Sequence, residues 1–327
     1  MDNFKEYRSV MSRIGIVLVL NTLLLQGLSL AADALYGRFG GPLTAAVADL
    51  GMGMEAAEYV LTQLINGAIY LFSFMFPVAV FRMLSRRRPS EVMRLGVRVP
   101  KETPLLVIAS IGLILGAAYL NSLLMSAFDF SSLFEEEEMT KSYQFIISFI
   151  TTALIPGFCE EFLFRGCVCS NMLPYGRTAA ILGSAAAFAL MHGNTAQYLY
   201  TFCAGVILAL LYEETGSIWP GTIVHVCNNF FSVIEEFVYD SGKGDLFLML
   251  FELAFFFAAA AALVWLILLR KGKLFTSPVG AAEPSYSVRL ERTGLLRGYF
   301  NAWMIIFAVL SLLEAGMFLI LALPTYY

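Results

Sequence analysis

The sequence predicts an all-α integral membrane bundle of about nine transmembrane helices with its N-terminus in the cytoplasm, and three observations predict it. Of 327 residues, 59% are hydrophobic and only 14% charged, against about 25% charged in soluble domains. The mean hydropathy of +0.74 says that apolar side chains face lipid as well as a core. Long apolar runs recur along the chain, each near the ~20 residues that a helix needs to cross a hydrocarbon layer about 30 Å thick. Backbone polar groups must be satisfied internally there, which leaves helices as the spanning element. The formal net charge of -4 is wrong in sign for a nucleic-acid binder, so no nucleic-acid partner is expected.

Nine segments qualify: 14–35, 59–83, 104–127, 143–170, 177–192, 196–213, 217–239, 246–269 and 299–323. The first follows Lys5, Arg8 and Arg13 and reads as an uncleaved signal anchor, because more spans follow it. The fifth and sixth are short runs parted by the polar stretch His192 to Gln197. With the N-terminus inside, the cytoplasmic pieces collect Lys5 to Arg13, Arg82 to Lys101, Arg177, and Arg270 to Arg297. Only Arg38, Lys141 and Lys243 remain outside, and Arg165 lies within a span, the asymmetry that orients membrane proteins. The run Glu135 to Glu138 then reads as a solvated outer loop, and Lys271 to Gly298, with Pro278, Gly280 and Pro284, as a flexible cytoplasmic linker. The chain divides into helices one to three (1–142), a core of helices four to seven (143–240) and helices eight and nine (241–327). Cys159, Cys167, Cys169, Cys203 and Cys227 lie in apolar segments without C-x-x-C spacing and read as small buried residues.

Ionisable groups inside spans cost about 2.5–3.5 kcal/mol each at a helix centre and are functional candidates by default. The fourth span carries Glu160, Glu161 and Arg165. Glu161 and Arg165, four residues apart, can pair along one face. Glu160 is rotated about 100° from Glu161 and is left free. The chain's two histidines also fall in spans: His192 ends the fifth, and His225 lies in the seventh with Asn229 on the same face. Counting helical rise from the cytoplasmic ends puts Glu160 about 15 Å, His192 about 22 Å and His225 about 12 Å deep. Matched depth lets the three share one water-filled cavity. Alone, each histidine reads as a packing residue; their conjunction with Glu160 and Asn229 favours a site over helix-to-helix polar contacts. The second pair, Glu235 and Glu236, lies at the outer end of its span and reads as interfacial, as do Glu213 and Glu214 at the end of the sixth.

At these residues the sequence resembles the CAAX prenyl protease and bacteriocin-processing family of intramembrane proteases, the type II CAAX endopeptidase or Abi family. Glu160, Glu161 and Arg165 match its E-E-x-x-x-R motif, Phe188 and His192 its F-x-x-x-H, and His225 and Asn229 its H-x-x-x-N. Gly166, Gly193 and Gly216-Ser217-Ile218-Trp219 also look typical. The likeness covers about residues 145–240, and a ninth helix goes beyond the eight-helix core that it implies. It implies an intramembrane endopeptidase of a bacterial cell membrane, surrounded by membrane lipids and acting on a peptide or lipid-modified protein. In it Glu160 is the general base, His192 orients the water, His225 and Asn229 stabilise the oxyanion, and Glu161 and Arg165 support them. Members have been read both as metalloproteases and as glutamate proteases. Glu160, His192 and His225 could furnish three zinc ligands, but no H-E-x-x-H motif forces that, and the metal-free version is favoured. The alternative is a non-proteolytic membrane scaffold or peptide-immunity protein using the same polar cluster for binding. A transporter would be expected to show inverted repeats, and none stands out.

Overall fold

A computed structural model describes residues 2–85, 93–97, 99–127, 139–240, 244–271 and 292–322, and all regular structure among them is helical. In chain order the elements are α1 (Asp2–Ala48), α2 (Met54–Ser85), α3 (Thr103–Ala127), α4 (Ser142–Tyr175), α5 (Arg177–Met191), α6 (Tyr198–Thr215), α7 (Ile218–Asp240), α8 (Asp245–Leu269), α9 (Arg292–Tyr299) and α10 (Ala302–Ala322). Eight of the nine expected segments each fall on one helix to within two residues, and the ninth, 299–323, starts at the end of α9, crosses Phe300 and Asn301 and continues as α10 to Ala322. Six helices, α1, α2, α3, α4, α8 and α10, are long and apolar enough to cross a membrane, and α5 is a shorter apolar helix. At a rise of 1.5 Å per residue α5 spans only about 22 Å, less than the bilayer core.

Two boundaries differ from expectation. Helix α1 runs 47 residues, about 70 Å, because the polar positions after Ala32 interrupt apolarity without breaking the helix, and even Pro42 is accommodated inside it. At the other end, Arg292–Tyr299 is helical, so the last residues of the expected linker 271–298 are an ordered element. Residues 272–291 of that linker, and Glu135 to Glu138, lie outside the described residues.

Helix α4 is not a plain α-helix. Its turns widen to π-helix over Phe149–Leu154 and Phe162–Cys169, bracketing an α-helical stretch Ile155–Glu161 that carries Pro156, Glu160 and Glu161. Such wide turns recur at functional sites because they shift the register of side chains on one face. Gly157 lets α7 approach this stretch: a Cβ there would stand 2.5 Å from Val226 Cγ2 and 3.0 Å from the Val226 backbone nitrogen. The principal core gathers α1, α2, α4, α5, α6 and α10 around Phe74, Phe81, Leu163, Phe164, Phe188, Tyr212 and Phe307. Cys159, Cys167 and Cys169 are buried as expected, whereas Cys203 and Cys227 are half-buried.

One end of the bundle is tied by charge. Arg177, opening α5, places Nε 2.6 Å from Glu213, and Arg270, just past α8, places Nη1 2.9 Å from Glu214. Arg270 also comes within 3.9 Å of Glu102, ahead of α3. Glu213 and Glu214 are thus buried and ion-paired, in place of the interfacial contact with water expected for them. The threading puts these four helix ends on one side, and they meet there. At the same end Leu95 accepts a hydrogen bond from the Trp219 indole (3.1 Å) and Gly96 one from the Ser217 hydroxyl (2.6 Å).

Candidate active site

The site is built where the α-helical stretch of α4 meets the C-terminal end of α5 and the middle of α7. Glu161 is fully buried, and its Oε1 takes two partners, Arg165 Nη1 at 3.0 Å and His225 Nδ1 at 2.9 Å. The expected i,i+4 pair is therefore present, and it also holds a histidine from another helix. Arg165, 1% exposed, donates through Nη2 to the Gly205 carbonyl (3.2 Å) and lies 4.7 Å over the Phe188 ring. That ring also meets His192 and His225 edge-on, with centroids at 4.8 and 5.7 Å. One aromatic side chain thus packs both imidazoles and the guanidinium, which gives the F-x-x-x-H spacing a physical reason: residues four apart share a helix face.

Both imidazoles are held in one tautomer. His192 Nδ1 lies 2.8 Å from the Phe188 carbonyl, which can only accept, so Nδ1 carries the hydrogen. His225 Nδ1 donates in the same way to the Glu161 carboxylate. In each neutral ring Nε2 is then an acceptor. His225 Nε2 faces Glu160, 3.8 Å from Oε2. Glu160 is 4% exposed. Its Oε1 accepts a hydrogen bond from the Tyr70 hydroxyl on α2, and its Oε2 is buried without a hydrogen-bond partner.

A small cavity of about 30 Å³ is lined by Phe188, His192, Tyr200, His225, Asn228 and Asn229 among others. That is room for a water or two, since one needs roughly 10–15 Å³ by this measure. The structure therefore gathers His192, His225 and Asn229 on one cavity, as expected, but Glu160 is not on its wall. His225 stands between them, its ring lining the cavity and its Nε2 facing Glu160.

Asn229 has a structural partner as well. Pro156 has no N–H to close a turn onto the carbonyl four residues earlier, and Asn229 Nδ2 donates to that Thr152 carbonyl at 3.3 Å. Asn228, three residues beyond His225, is buried, shares the cavity and donates to the Tyr200 hydroxyl and, at 3.2 Å, to Asn229 Oδ1. Tyr70 and Tyr200 were not legible as site residues. Tyr70 comes from a helix 90 positions upstream of Glu160, and the only trace of either is a hydroxyl-bearing ring in an apolar run. The three candidate zinc ligands are not arranged as a set: among the described residues no group of three or more His, Cys, Asp or Glu is placed to hold a metal ion.

No curated protein and no solved structure matches the chain. A family model does, over residues 142–231, and its description is type II CAAX prenyl endopeptidase Rce1-like. Together with the apolar helices, this match makes the chain a multi-pass integral membrane protein. The matched residues run from the start of α4 to Phe231 of α7 and take in Glu160, Glu161, Arg165, His192, His225 and Asn229. The family that the motif spacing suggests is thus the one that residues 142–231 match, the Rce1-like type II CAAX prenyl endopeptidases.

Proposed function

We propose that the protein is an intramembrane endopeptidase that hydrolyses a peptide bond in a membrane-associated or lipid-modified peptide, with Glu160 as general base. The observation that carries this reading is the buried carboxylate oxygen Glu160 Oε2, without a hydrogen-bond partner and 3.8 Å from an imidazole whose other nitrogen is tied to a second carboxylate. Such an arrangement costs stability unless it is used. With the His225 ring turned aside, a water from the cavity reaches Glu160 and loses a proton to it, and the resulting hydroxide adds to the substrate carbonyl carbon. His192 Nε2 accepts from that water and orients it. The oxyanion takes hydrogen bonds from Asn229 and from the His225 imidazole. Each such donor is worth about 2.7–4 kcal/mol in other proteases. Collapse of the intermediate breaks the C–N bond, and the leaving amine takes the proton that Glu160 holds. Arg165 and Glu161 fix the His225 ring rather than touch substrate.

No step in this reading passes through a metal. It predicts that the purified protein turns over undiminished after chelation; stoichiometric zinc that disappears in His192→Ala would contradict it. The principal test is comparative mass spectrometry of membrane peptides from cells carrying the native chain or Glu160→Gln, with membrane insertion checked in both. A set of peptides released only by the native chain is expected. Identical profiles would overturn the assignment. They would favour the reading as a binding scaffold, which the contacts of Asn229 with Thr152 and of Glu161 with His225 support as helix-to-helix ties.

A further inference from the structure

The inner cavity of about 30 Å³ is far too small for a peptide, since sites that bury a ligand measure roughly 300–1,000 Å³. A second cavity has that size. It measures about 330 Å³ and lies between the C-terminal half of α3 and the start of α6, lined by Asn121, Ser122, Met125, Ser126, Gln197 and Tyr200 with two alanines. Tyr200 lines both cavities, and its hydroxyl accepts from Asn228 on the inner one. The two spaces are therefore neighbours separated by one ring.

Three features define what the outer cleft suits. Among the described residues, no charged side chain lines it. Asn121 Nδ2 donates to the Ala196 carbonyl at 2.9 Å, which fixes the amide's orientation, and leaves Asn121 Oδ1 buried with no hydrogen-bond partner. The cleft wall also carries Ser122, Ser126 and Gln197, whose hydroxyl and amide groups can pair the backbone of an extended peptide. The cleft also lies at the end of α3 and α6 opposite the ion-pair cluster of Arg177, Glu213, Glu214 and Arg270, since that cluster gathers the start of α3 and the end of α6.

We propose that this cleft is the subsite for an uncharged, extended segment of the peptide substrate flanking the scissile bond. The segment enters from the bundle end opposite the ion-pair cluster, with Ser122 and Gln197 pairing its backbone and Tyr200 forming the wall that the scissile carbonyl must pass. This rests on the peptidase reading and adds to it the chemistry of the segment and the face from which it arrives. Substrates with a lysine, arginine or acidic residue in that segment are disfavoured, because none of the described side chains lining the cleft would pair the charge.

The test uses the full chain in sealed proteoliposomes and a peptide identified by the Glu160→Gln comparison. Ser122→Asp, which puts a charge on the exposed cleft wall, is expected to raise KM at least tenfold with kcat within threefold. Tyr200→Ala joins the two cavities and broadens the set of cleaved positions. Ser122→Cys should react with a membrane-impermeant maleimide from the face opposite to the one that labels Lys271→Cys, which follows Arg270 at the ion-pair end. An unchanged KM in Ser122→Asp, or labelling of both cysteines from the same face, would overturn the proposal. If the native chain released no peptide at all, the peptidase reading would fail. The labelling would still decide access: Ser122→Cys unreactive from either face excludes the cleft as an entrance on its own.

Discussion

Two pairs of adjacent glutamates are almost equally buried, and they do opposite things. Glu160 and Glu161 on α4 are 4% and 0% exposed, and Glu213 and Glu214 at the end of α6 are each 3% exposed. Glu213 and Glu214 face guanidinium groups, Arg177 at 2.6 Å and Arg270 at 2.9 Å, so their charge is neutralised on the spot. On α4 one arginine serves two carboxylates. Arg165 goes to Glu161, and Glu160 is left with a tyrosine hydroxyl and an imidazole that it does not reach at hydrogen-bond distance. On the proposed reading, it is the partner and not burial that distinguishes a reactive carboxylate from a tie between helices. A paired acid has the cost of its burial offset by its partner, whereas an underpartnered one is left with an unsatisfied lone pair.

The comparison can be broken or sharpened one residue at a time, beginning with the largest effect. His225→Ala removes the group that links Glu160, Glu161 and the cavity, and turnover should fall about 10³-fold, the upper range for loss of one preorganised donor; peptide release by the purified chain measures it. Glu214→Gln should do the reverse. It takes away the carboxylate that Arg270, 8% exposed, pairs with at 2.9 Å while leaving Glu102 at 3.9 Å, and should cost about 1.5–3 kcal/mol in thermal unfolding while turnover stays within about threefold of native. Tyr70→Phe deletes the donor to Glu160 Oε1. A hydrogen bond to a charged group is worth about 1.5–3 kcal/mol, so kcat should drop about 10- to 100-fold with little change in unfolding temperature. Glu213→Gln should have the smallest effect, about 1 kcal/mol or less of stability, because its partner Arg177 is 37% exposed and water can take over its solvation.

What the sequence could show follows from range. The Glu161 to Arg165 pair is local, set by four residues of one helix, and it forms as expected. The gathering of His192, His225 and Asn229 was legible because polar groups in apolar helices converge on one another. Glu160 was expected on the same cavity and instead lies behind His225, and nothing in a helical-wheel argument reveals the two π-helical stretches that reset the register around it. Long-range partners were silent for a different reason. Tyr70, Tyr200 and the Arg270 to Glu214 contact depend on which helices pack together, and a tyrosine or a terminal arginine in an apolar run has many equally good uses. Pro156 was visible, but its consequence was not, namely that the freed Thr152 carbonyl would draw the amide of Asn229.

The central claim is that Glu160 is reactive because its charge is left underpartnered, not because it is buried. Glu160→Gln and Glu214→Gln test it most directly when assayed side by side in the same proteoliposomes, with turnover and unfolding temperature read from each sample. The account predicts that Glu160→Gln loses all measurable turnover while unfolding at or above the native temperature, and that Glu214→Gln unfolds well below it yet still cleaves. Native-like turnover in Glu160→Gln, or equal loss of activity in the two variants, would contradict it.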